Sequence, residues 1–154
     1  MPSSRRLAFA PLAIAALALA GCVAHPVGPA RTFSKYEGKA VTTAEAALSA
    51  VETARLTADA ASRGNAFGPY AATVISEAEE SARGARGTFA SVQPPGSRAD
   101  ALSAQLDGLL SATVNDLTTL RVAARRGELE RLGAVAGPLA ADSDRLNTFI
   151  ESHK

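Results

Sequence analysis

The sequence predicts an all-α protein with the fold of an antiparallel up-down four-helix bundle. Apolar residues recur at helical spacing through four long stretches, which is the pattern of amphipathic helices. Turns rich in glycine and proline separate these stretches, and no stretch alternates apolar and polar residues as a β-strand would. Long amphipathic helices joined by short turns are typical of an up-down bundle. The predicted helices span residues of about 33–63, 69–92, 98–126 and 128–151.

The first predicted helix has a face made largely of alanine. Placing successive residues about 100° apart around the axis aligns Phe33, Tyr36, Ala40, Ala44, Ala47, Val51, Ala54, Ala58 and Ala61. Because Phe33 and Tyr36 share this face, we expect the helix to begin near Phe33. A rival start lies at Thr42, which forms a capping-box pattern with Glu45. Gly64 is suited to end the helix.

The second predicted helix begins at Pro69, since proline is favoured in the first helical turn. Its apolar face carries Phe67, Ala71, Val74, Ala78, Ala82, Ala85, Phe89 and Val92. The carboxylates of Glu77, Glu79 and Glu80 lie off this face, so we expect them on the outer surface. The run Gln-Pro-Pro-Gly at 93–96 ends the helix.

The third and fourth predicted helices carry most of the leucine in the chain. Ser97 and Asp100 form a capping-box-like pair at the start of the third helix. The Arg-Arg-Gly run at 125–127 suits its end, because basic residues and glycine are favoured there. Gly137 and Pro138 interrupt the fourth helix. Since the apolar face continues beyond them, we expect a kink at this point and no helix end.

The N-terminal segment has the residue order of an export signal. Arg5 and Arg6 precede an uncharged apolar run from Leu7 to Ala20. That run leads into Leu19-Ala20-Gly21-Cys22, which resembles the lipobox of bacterial lipoproteins.

The resemblance to lipoproteins implies how the chain is processed. Cleavage would fall between Gly21 and Cys22, and a lipid would be attached to Cys22. The chain would then consist of a lipoprotein signal peptide at 1–21, a flexible tether at 22–32 and the four-helix bundle at 33–154. The mature protein would lie outside the cytoplasm, attached to the cell membrane by this lipid anchor.

Two other fates of the N-terminal segment stay open. Extended through Ala24, the apolar run reaches 18 residues, which is near the lower limit for a membrane span, so an uncleaved transmembrane anchor is one alternative. The run Ala18-Leu19-Ala20 also fits the small-x-small pattern of ordinary secretion. Cys22 is the only cysteine in the chain. Exported proteins rarely keep one unpaired thiol, and this favours the lipoprotein interpretation.

The mature part also resembles a group of proteins in its general pattern. The lengths and apolar faces of its helices are similar to those of small uncharacterised exported helical proteins of high-GC Gram-positive bacteria. This resemblance implies no activity. Tryptophan is absent and aromatic residues make up 5% of the chain, so the predicted core consists of alanine, leucine and valine.

Composition and residue spacing argue against catalytic and metal-binding functions. Residues 22–154 carry 14 basic and 15 acidic residues, a net charge of −1, whereas nucleic-acid-binding proteins carry a basic excess. The only histidines, His25 and His153, lie near the ends of the mature chain, where we expect them to be solvated. Metal sites in bundles and nucleophilic enzymes commonly use histidine within the core. We therefore expect no enzyme, no metal, no cofactor and no nucleic-acid partner.

Two hypotheses for the function follow from the sequence. The first is a lipid-anchored extracytoplasmic helical bundle that acts as a structural or partner-binding module of the cell envelope. The second is a ligand-sensing bundle with a small pocket between helices, near Thr113 and Ser143, whose hydroxyls interrupt apolar stripes. These hydroxyls alternatively bond back to a helix carbonyl. Arg55, between Glu52 and Asp59, is interpreted as a surface arginine paired with those carboxylates.

The first hypothesis places a partner at the end of the bundle farthest from the membrane. In an up-down bundle the turns 64–68 and 125–128 lie together at that end. They bring together the candidate partner-binding residues Arg63, Phe67, Tyr70, Arg121, Arg125, Arg126 and Arg131. Arginine and aromatic residues are enriched at binding surfaces. We expect this end to dock an acidic protein or an anionic envelope polymer, while the lipid on Cys22 contacts the membrane.

Overall fold

A computed structural model describes residues 29–154 of the chain. This part is all-α, as predicted, and its helices pack as a bundle; it contains no strand. Its helical segments are α1 (Phe33–Ser62), α2 (Gly68–Ala90), α3 (Ser97–Arg125), a 3-10 turn (Leu129–Arg131), α4 (Leu132–Val135) and α5 (Pro138–His153). The bounds of the first three helices lie within two residues of the predicted ones.

The predicted signal peptide and cleavage site lie outside the described residues, together with Gly21, Cys22, His25 and most of the tether 22–32. Cleavage and lipid attachment therefore stay predictions. Between residues 29 and 154, no helix has both the length and the hydropathy that crossing a bilayer requires.

The first helix begins at Phe33, as the alignment of its apolar face predicted. Thr32 caps it, because its side-chain oxygen accepts a hydrogen bond from the Lys35 N–H at 3.3 Å. Thr42, the rival start, lies inside the helix, where its hydroxyl donates to the Gly38 carbonyl at 3.0 Å. Its hydroxyl therefore bonds back along α1 and caps no helix start.

The core is organised around α1, which packs against α2, α3 and α5. The predicted alanine face of α1 is fully buried at Ala40, Ala44, Ala47, Ala54 and Ala58. Because these side chains are single methyl groups, neighbouring helices can approach α1 closely. The other helices supply the bulk of the core, including the fully buried Leu106, Leu117 and Leu146. Each such leucine stabilises the fold by about 1.5–3 kcal/mol relative to an exposed position.

The start of α3 differs from the predicted capping box. Ser97 is the first helical residue, and the preceding Gly96 makes no side-chain cap. The Gly96 carbonyl instead accepts hydrogen bonds from the Ala99 and Asp100 N–H groups at 2.8 and 3.0 Å. The prediction was wrong because the helix starts one residue earlier, which moves Ser97 out of the capping position.

The fourth helical segment is divided, which corrects the prediction of one kinked helix at 128–151. A turn at Ala136 and Gly137 separates α4 from α5. Pro138 has no N–H to donate, and the Ala134 carbonyl accepts from the Gly137 N–H at 3.1 Å. Such a bond between residues three apart tightens the backbone. Ala136 and Gly137 nevertheless keep right-handed helical angles.

The C-terminus is docked, although the sequence predicted a solvated His153. His153 Nδ1 lies 3.2 Å from Glu37 Oε1, and the centroids of the His153 and Phe149 rings are 4.6 Å apart. Lys154 Nζ lies 3.0 Å from Glu45 Oε1. The prediction failed because α5 packs against α1 through its last turn and does not fray there.

Candidate functional site

Two helices end in the same way at one end of the bundle. Arg63 closes α1 and is followed by Gly64 with φ of +75°, while Arg126 closes α3 and is followed by Gly127 with φ of +74°. At both ends the glycine N–H and the next N–H bond back to the last helical turn at 2.8–3.2 Å. This is the Schellman arrangement. It requires glycine because other residues rarely adopt positive φ.

Close packing brings the chain around these two turns together. A Cβ placed on Gly68 would lie 3.4 Å from Leu129 Cδ1, and one placed on Gly133 would lie 3.1 Å from Ser62 Oγ. The chain that leaves α1 therefore lies against the chain that follows α3. We call the surface formed by residues 63–70 and 125–131 the end surface.

Two aromatic side chains are exposed on the end surface. Phe67 is 69% exposed and Tyr70 is 52% exposed, with ring centroids 5.8 Å apart. The sequence pattern predicted Phe67 on the apolar face of the second helix. Phe67 instead precedes α2, in an extended backbone conformation, so its ring leaves the buried stripe. Adjacent exposed aromatic rings form an apolar patch of the kind that marks interaction sites.

Two arginines of the end surface have free guanidinium groups. Arg125 and Arg126 are exposed at the end of α3. In the part of the chain that the structure describes, neither guanidinium forms an ion pair or a hydrogen bond. Their position also offsets the negative end of the α3 dipole. The charges remain available to an external anion.

Two other predicted residues of the end surface are paired locally. Arg63 forms an ion pair with Asp59, and Arg131 Nη1 lies 3.0 Å from Glu128 Oε2. Both arginines are largely exposed, so these pairs contribute little to stability. An incoming anion would compete with these carboxylates.

Arg121, predicted to be part of the same group, is bound within the α2–α3 interface. Its Nε donates to Glu79 Oε2, and its side chain is 24% exposed. Thr118 Oγ1 donates to Glu79 Oε1 at 2.7 Å, and Arg83 forms a second ion pair with the same carboxylate. We call these four residues the Glu79 network. Arg121 serves to join α3 to α2 and does not belong to the free cations of the end surface.

The burial of Glu79 corrects the prediction that its carboxylate lies on the outer surface. Glu79 is 2% exposed, because α2 packs against both α1 and α3 and Glu79 lies on the flank that meets α3. Burial acts to raise the pKa of Glu79. Hydrogen bonds from Thr118 and Arg121, together with the charges of Arg121 and Arg83, outweigh that effect, and the pKa lies below its usual value.

A second polar contact joins α1 to α5. Arg55 Nη1 lies 2.7 Å from Glu52 Oε1, which is one of the two pairings predicted for it, whereas Asp59 pairs with Arg63. Ser143 Oγ donates to the same Glu52 oxygen at 2.6 Å, so Ser143 bonds across the interface and not back to its own helix. The Thr113 hydroxyl is buried and has no partner among the described residues.

Two grooves lie between helices of the described part. One of about 290 Å³ follows α1 and the divided fourth segment, lined by Glu52, Arg55, Leu56, Asp59, Gly133, Ala136, Gly137 and Ala140. The other, of about 540 Å³, lies between α3 and α5. Neither groove is lined by Thr113 or Ser143. Across residues 29–154, no group of three or more His, Cys, Asp or Glu side chains is arranged to hold a metal ion.

The end surface has the chemistry of a recognition site. The guanidinium groups of Arg125 and Arg126 can donate paired hydrogen bonds to carboxylates, while the rings of Phe67 and Tyr70 offer rigid apolar area. No family model, curated protein or solved structure matches the chain.

Proposed function

We propose that this protein is a lipid-anchored extracytoplasmic helical bundle whose end surface docks an acidic partner protein, so that it acts as a binding module and not as an enzyme. One observation carries the proposal. The exposed Phe67–Tyr70 pair lies at the same end of the bundle as the free guanidinium groups of Arg125 and Arg126.

The proposed partner is a protein because the end surface combines apolar and charged groups. Aromatic residues and arginine dominate the energetics of protein–protein interfaces, whereas a purely ionic ligand would not require exposed rings. Residues Arg125 and Arg126 would steer an acidic surface toward the rings of Phe67 and Tyr70. Binding would therefore weaken as salt screens the charges.

The proposed orientation rests on an antiparallel up-down course of the four helical segments. Contacts that support it run in opposite directions along neighbouring helices, so that a later residue of one helix meets an earlier residue of the other: Tyr36 with Phe89, Arg86 with Asp107, Glu79 with Arg121, and Glu37 with His153. An anchor at Cys22 precedes α1 in the chain. With this course, the end surface faces away from the membrane, where a partner can reach it.

The anchor is tested by replacing its attachment site. With Cys22→Ser, metabolic labelling with a radioactive fatty acid should be lost, and the protein should be left uncleaved or released from the membrane. Normal labelling and membrane fractionation of this variant would refute the lipid anchor. The docking test below uses purified protein, so it does not depend on this result.

Docking is tested by reversing charges at the two ends of the bundle. Arg125→Glu with Arg126→Glu should remove a salt-sensitive interaction that crosslinking detects between the purified protein and an envelope extract, while leaving the helical signal and the melting temperature nearly unchanged. The matched control is Arg31→Glu with Lys35→Glu, which makes the same charge change at exposed positions near the start of α1 and should retain the partner.

The identity of the captured species decides the nature of the partner. An acidic protein that binds the parent protein again after purification, and binds a Phe67→Ser variant more weakly, supports the proposal. Retention of every partner by the doubly reversed variant would contradict it. Binding to purified teichoic acid, with no effect of Phe67→Ser, would show that the ligand is an anionic envelope polymer.

A ligand-sensing bundle is the second proposed function, and the Thr113 hydroxyl favours it. This hydroxyl is buried and has no partner within the described chain, so a small molecule that opened the core beside Thr113 would satisfy it. A thermal-shift screen should find one compound that stabilises the parent protein. If Thr113→Leu abolishes that shift, the sensor function is supported; a shift that survives the substitution would exclude Thr113 as the binding group.

A further inference from the structure

A second buried carboxyl lies at the α3–α5 interface, apart from the end surface. Asp142 is 2% exposed, and its Oδ1 accepts a hydrogen bond from Arg145 Nη1 at 3.0 Å. Its other oxygen, Oδ2, is buried and has no hydrogen-bond partner among the described residues. A buried polar atom without a partner is strongly unfavourable, so the Oδ2 position needs an explanation.

The group that acts on Asp142 across the interface, where α3 packs against α5, is another carboxyl, Asp116 of α3, through both its charge and its hydrogen-bonding oxygens. Two ionised carboxylates can only accept hydrogen bonds, so they repel each other and leave Oδ2 unsatisfied. A single proton removes both penalties, because a protonated carboxyl donates to its neighbour. Closely placed carboxyl pairs elsewhere share one proton for this reason.

We propose that Asp116 and Asp142 share one proton and act as a pH-sensitive latch that holds α3 against α5 in mild acid. With the proton present, Asp142 Oδ2 donates to Asp116 and the interface is satisfied. When the proton is lost, two negative charges face each other within the interface and only one arginine offsets them.

The surrounding charges do not supply a second cation to the pair. Asp116 is the acidic group that α3 presents to Asp142, and Arg145 is the cation from the same helix as Asp142. From α1, Glu52 bonds to Ser143, the residue next to Asp142, and Arg55 is engaged by that Glu52. The exposed Asp144 adds a further negative charge to α5. A shared proton therefore neutralises the repulsion between the two carboxyls in place of a second cation.

The titration range of the pair follows from its surroundings. Burial, and then the charge and hydrogen bond of Asp116, raise the pKa of Asp142 to about 6 from an ordinary 3.8, although the charge of Arg145 acts to lower it. The folded state then binds this proton more tightly than the unfolded state. The stability that the proton contributes is fully present below the unfolded pKa and is lost as the pH rises through about 6.

The test measures unfolding by urea with the purified protein at about pH 5 and about pH 7.5. It is made in a His153→Gln background, because histidine titrates in the same range. We expect the unfolding equilibrium constant to be about tenfold larger at the higher pH. The reason is that the folded state binds about one proton more than the unfolded state over about one pH unit of that interval. Asp142→Asn should abolish this change, because its amide donates to Asp116 at every pH.

Two further variants make the result specific. Asp144→Asn removes the same charge from an exposed position on the same helix and should keep the tenfold change. Asp116→Asn presents an amide to Asp142 and should reduce the change well below tenfold, because the repulsion is removed although Asp142 stays buried, so the test remains decisive if Asp142→Asn fails to fold. In the parent protein the Asp142 carboxyl carbon should titrate near pH 6 by NMR. Equal stability at both pH values, or an unchanged pH dependence in Asp116→Asn, would overturn the latch.

Discussion

The two faces of α3 each bury a carboxyl, but they surround it with opposite chemistry. At the α2 side, Glu79 receives a hydroxyl and two guanidinium groups in the Glu79 network. At the α5 side, Asp142 receives one guanidinium and faces the carboxyl of Asp116. The pKa of Glu79 lies below its usual value, while that of Asp142 is raised to about 6.

Burial alone does not set the charge of an acidic residue. Both residues are 2% exposed, so burial disfavours the ionised form in both. Hydrogen-bond donors and positive charge reverse that preference at Glu79, whereas a like charge reinforces it at Asp142. One interface therefore gains stability from an ionised carboxylate and the other from a proton.

The largest effect is expected from removing the Glu79 carboxylate. Glu79→Ala should lower the free energy of unfolding by about 3 kcal/mol at neutral pH, because the buried pair is broken and Arg121 and Thr118 lose their acceptor. Urea unfolding measures this loss. Glu80→Ala, an exposed neighbour, should change stability by less than about 0.5 kcal/mol. Similar losses in the two variants would show that the network is not stabilising.

A second effect should appear in acid, where the stability contributed by Glu79 should fall while that contributed by Asp142 is retained. Because the pKa of Glu79 is lowered in the folded state, its stabilisation is present above its ordinary pKa of 4.5 and is lost as the pH falls through the folded value. Glu79→Gln should therefore lose less stability than the parent protein between about pH 5 and about pH 3. Parallel acid profiles, followed by circular dichroism, would contradict this assignment.

Two threonines of α3 should respond oppositely to the same substitution. Thr118→Val removes a hydrogen bond to Glu79 and should lower the free energy of unfolding by about 1 kcal/mol. Thr113→Val removes a buried hydroxyl without a partner and should leave stability unchanged or raise it by up to about 1 kcal/mol. Thermal melts in one buffer suffice for this comparison. Equal losses would mean that the Thr113 hydroxyl has a partner in solution.

The smallest effect is expected at the exposed edge of the α2–α3 interface. Arg86 contacts Asp107 with both Nε and Nη2, at 2.7 and 3.2 Å. The hydrogen bond between them raises the pKa of Arg86 and lowers that of Asp107. Because Asp107 is half exposed, solvent screens the pair, and Arg86→Ala should lower stability by only about 0.5 kcal/mol. The loss should shrink in high salt; a salt-independent loss would point to packing of the arginine stem.

The sequence was sufficient to predict the helices because the residues that start and end each helix act locally. The period of the apolar residues defines the faces, and Gly64, Pro69, Gly96 and Gly127 mark the ends within a residue or two. The break at Gly137 was visible as an interruption. The extent of this break could not be predicted, because it depends on which backbone carbonyls accept hydrogen bonds from the neighbouring N–H groups.

The buried carboxyls were missed because a helical wheel assumes one buried stripe. α2 packs against α1 and α3, and α5 packs against α1 and α3, so each helix buries a second flank that its apolar period does not show. The i,i+4 pair Glu79–Arg83 was visible in the sequence. Its link to Arg121 was not, since those residues lie in different helices and meet only after α2 and α3 pack.

The two turns that contain Gly64 and Gly127 set the shape of the end surface independently of its exposed side chains. Gly64 and Gly127 set the course of the chain through main-chain hydrogen bonds, in which the side chains of Phe67, Arg125 and Arg126 take no part. Substitution of those side chains alters the charge and apolar area of the surface and leaves the turns intact. Over evolutionary time the bundle can exchange the exposed side chains at this end while its framework persists.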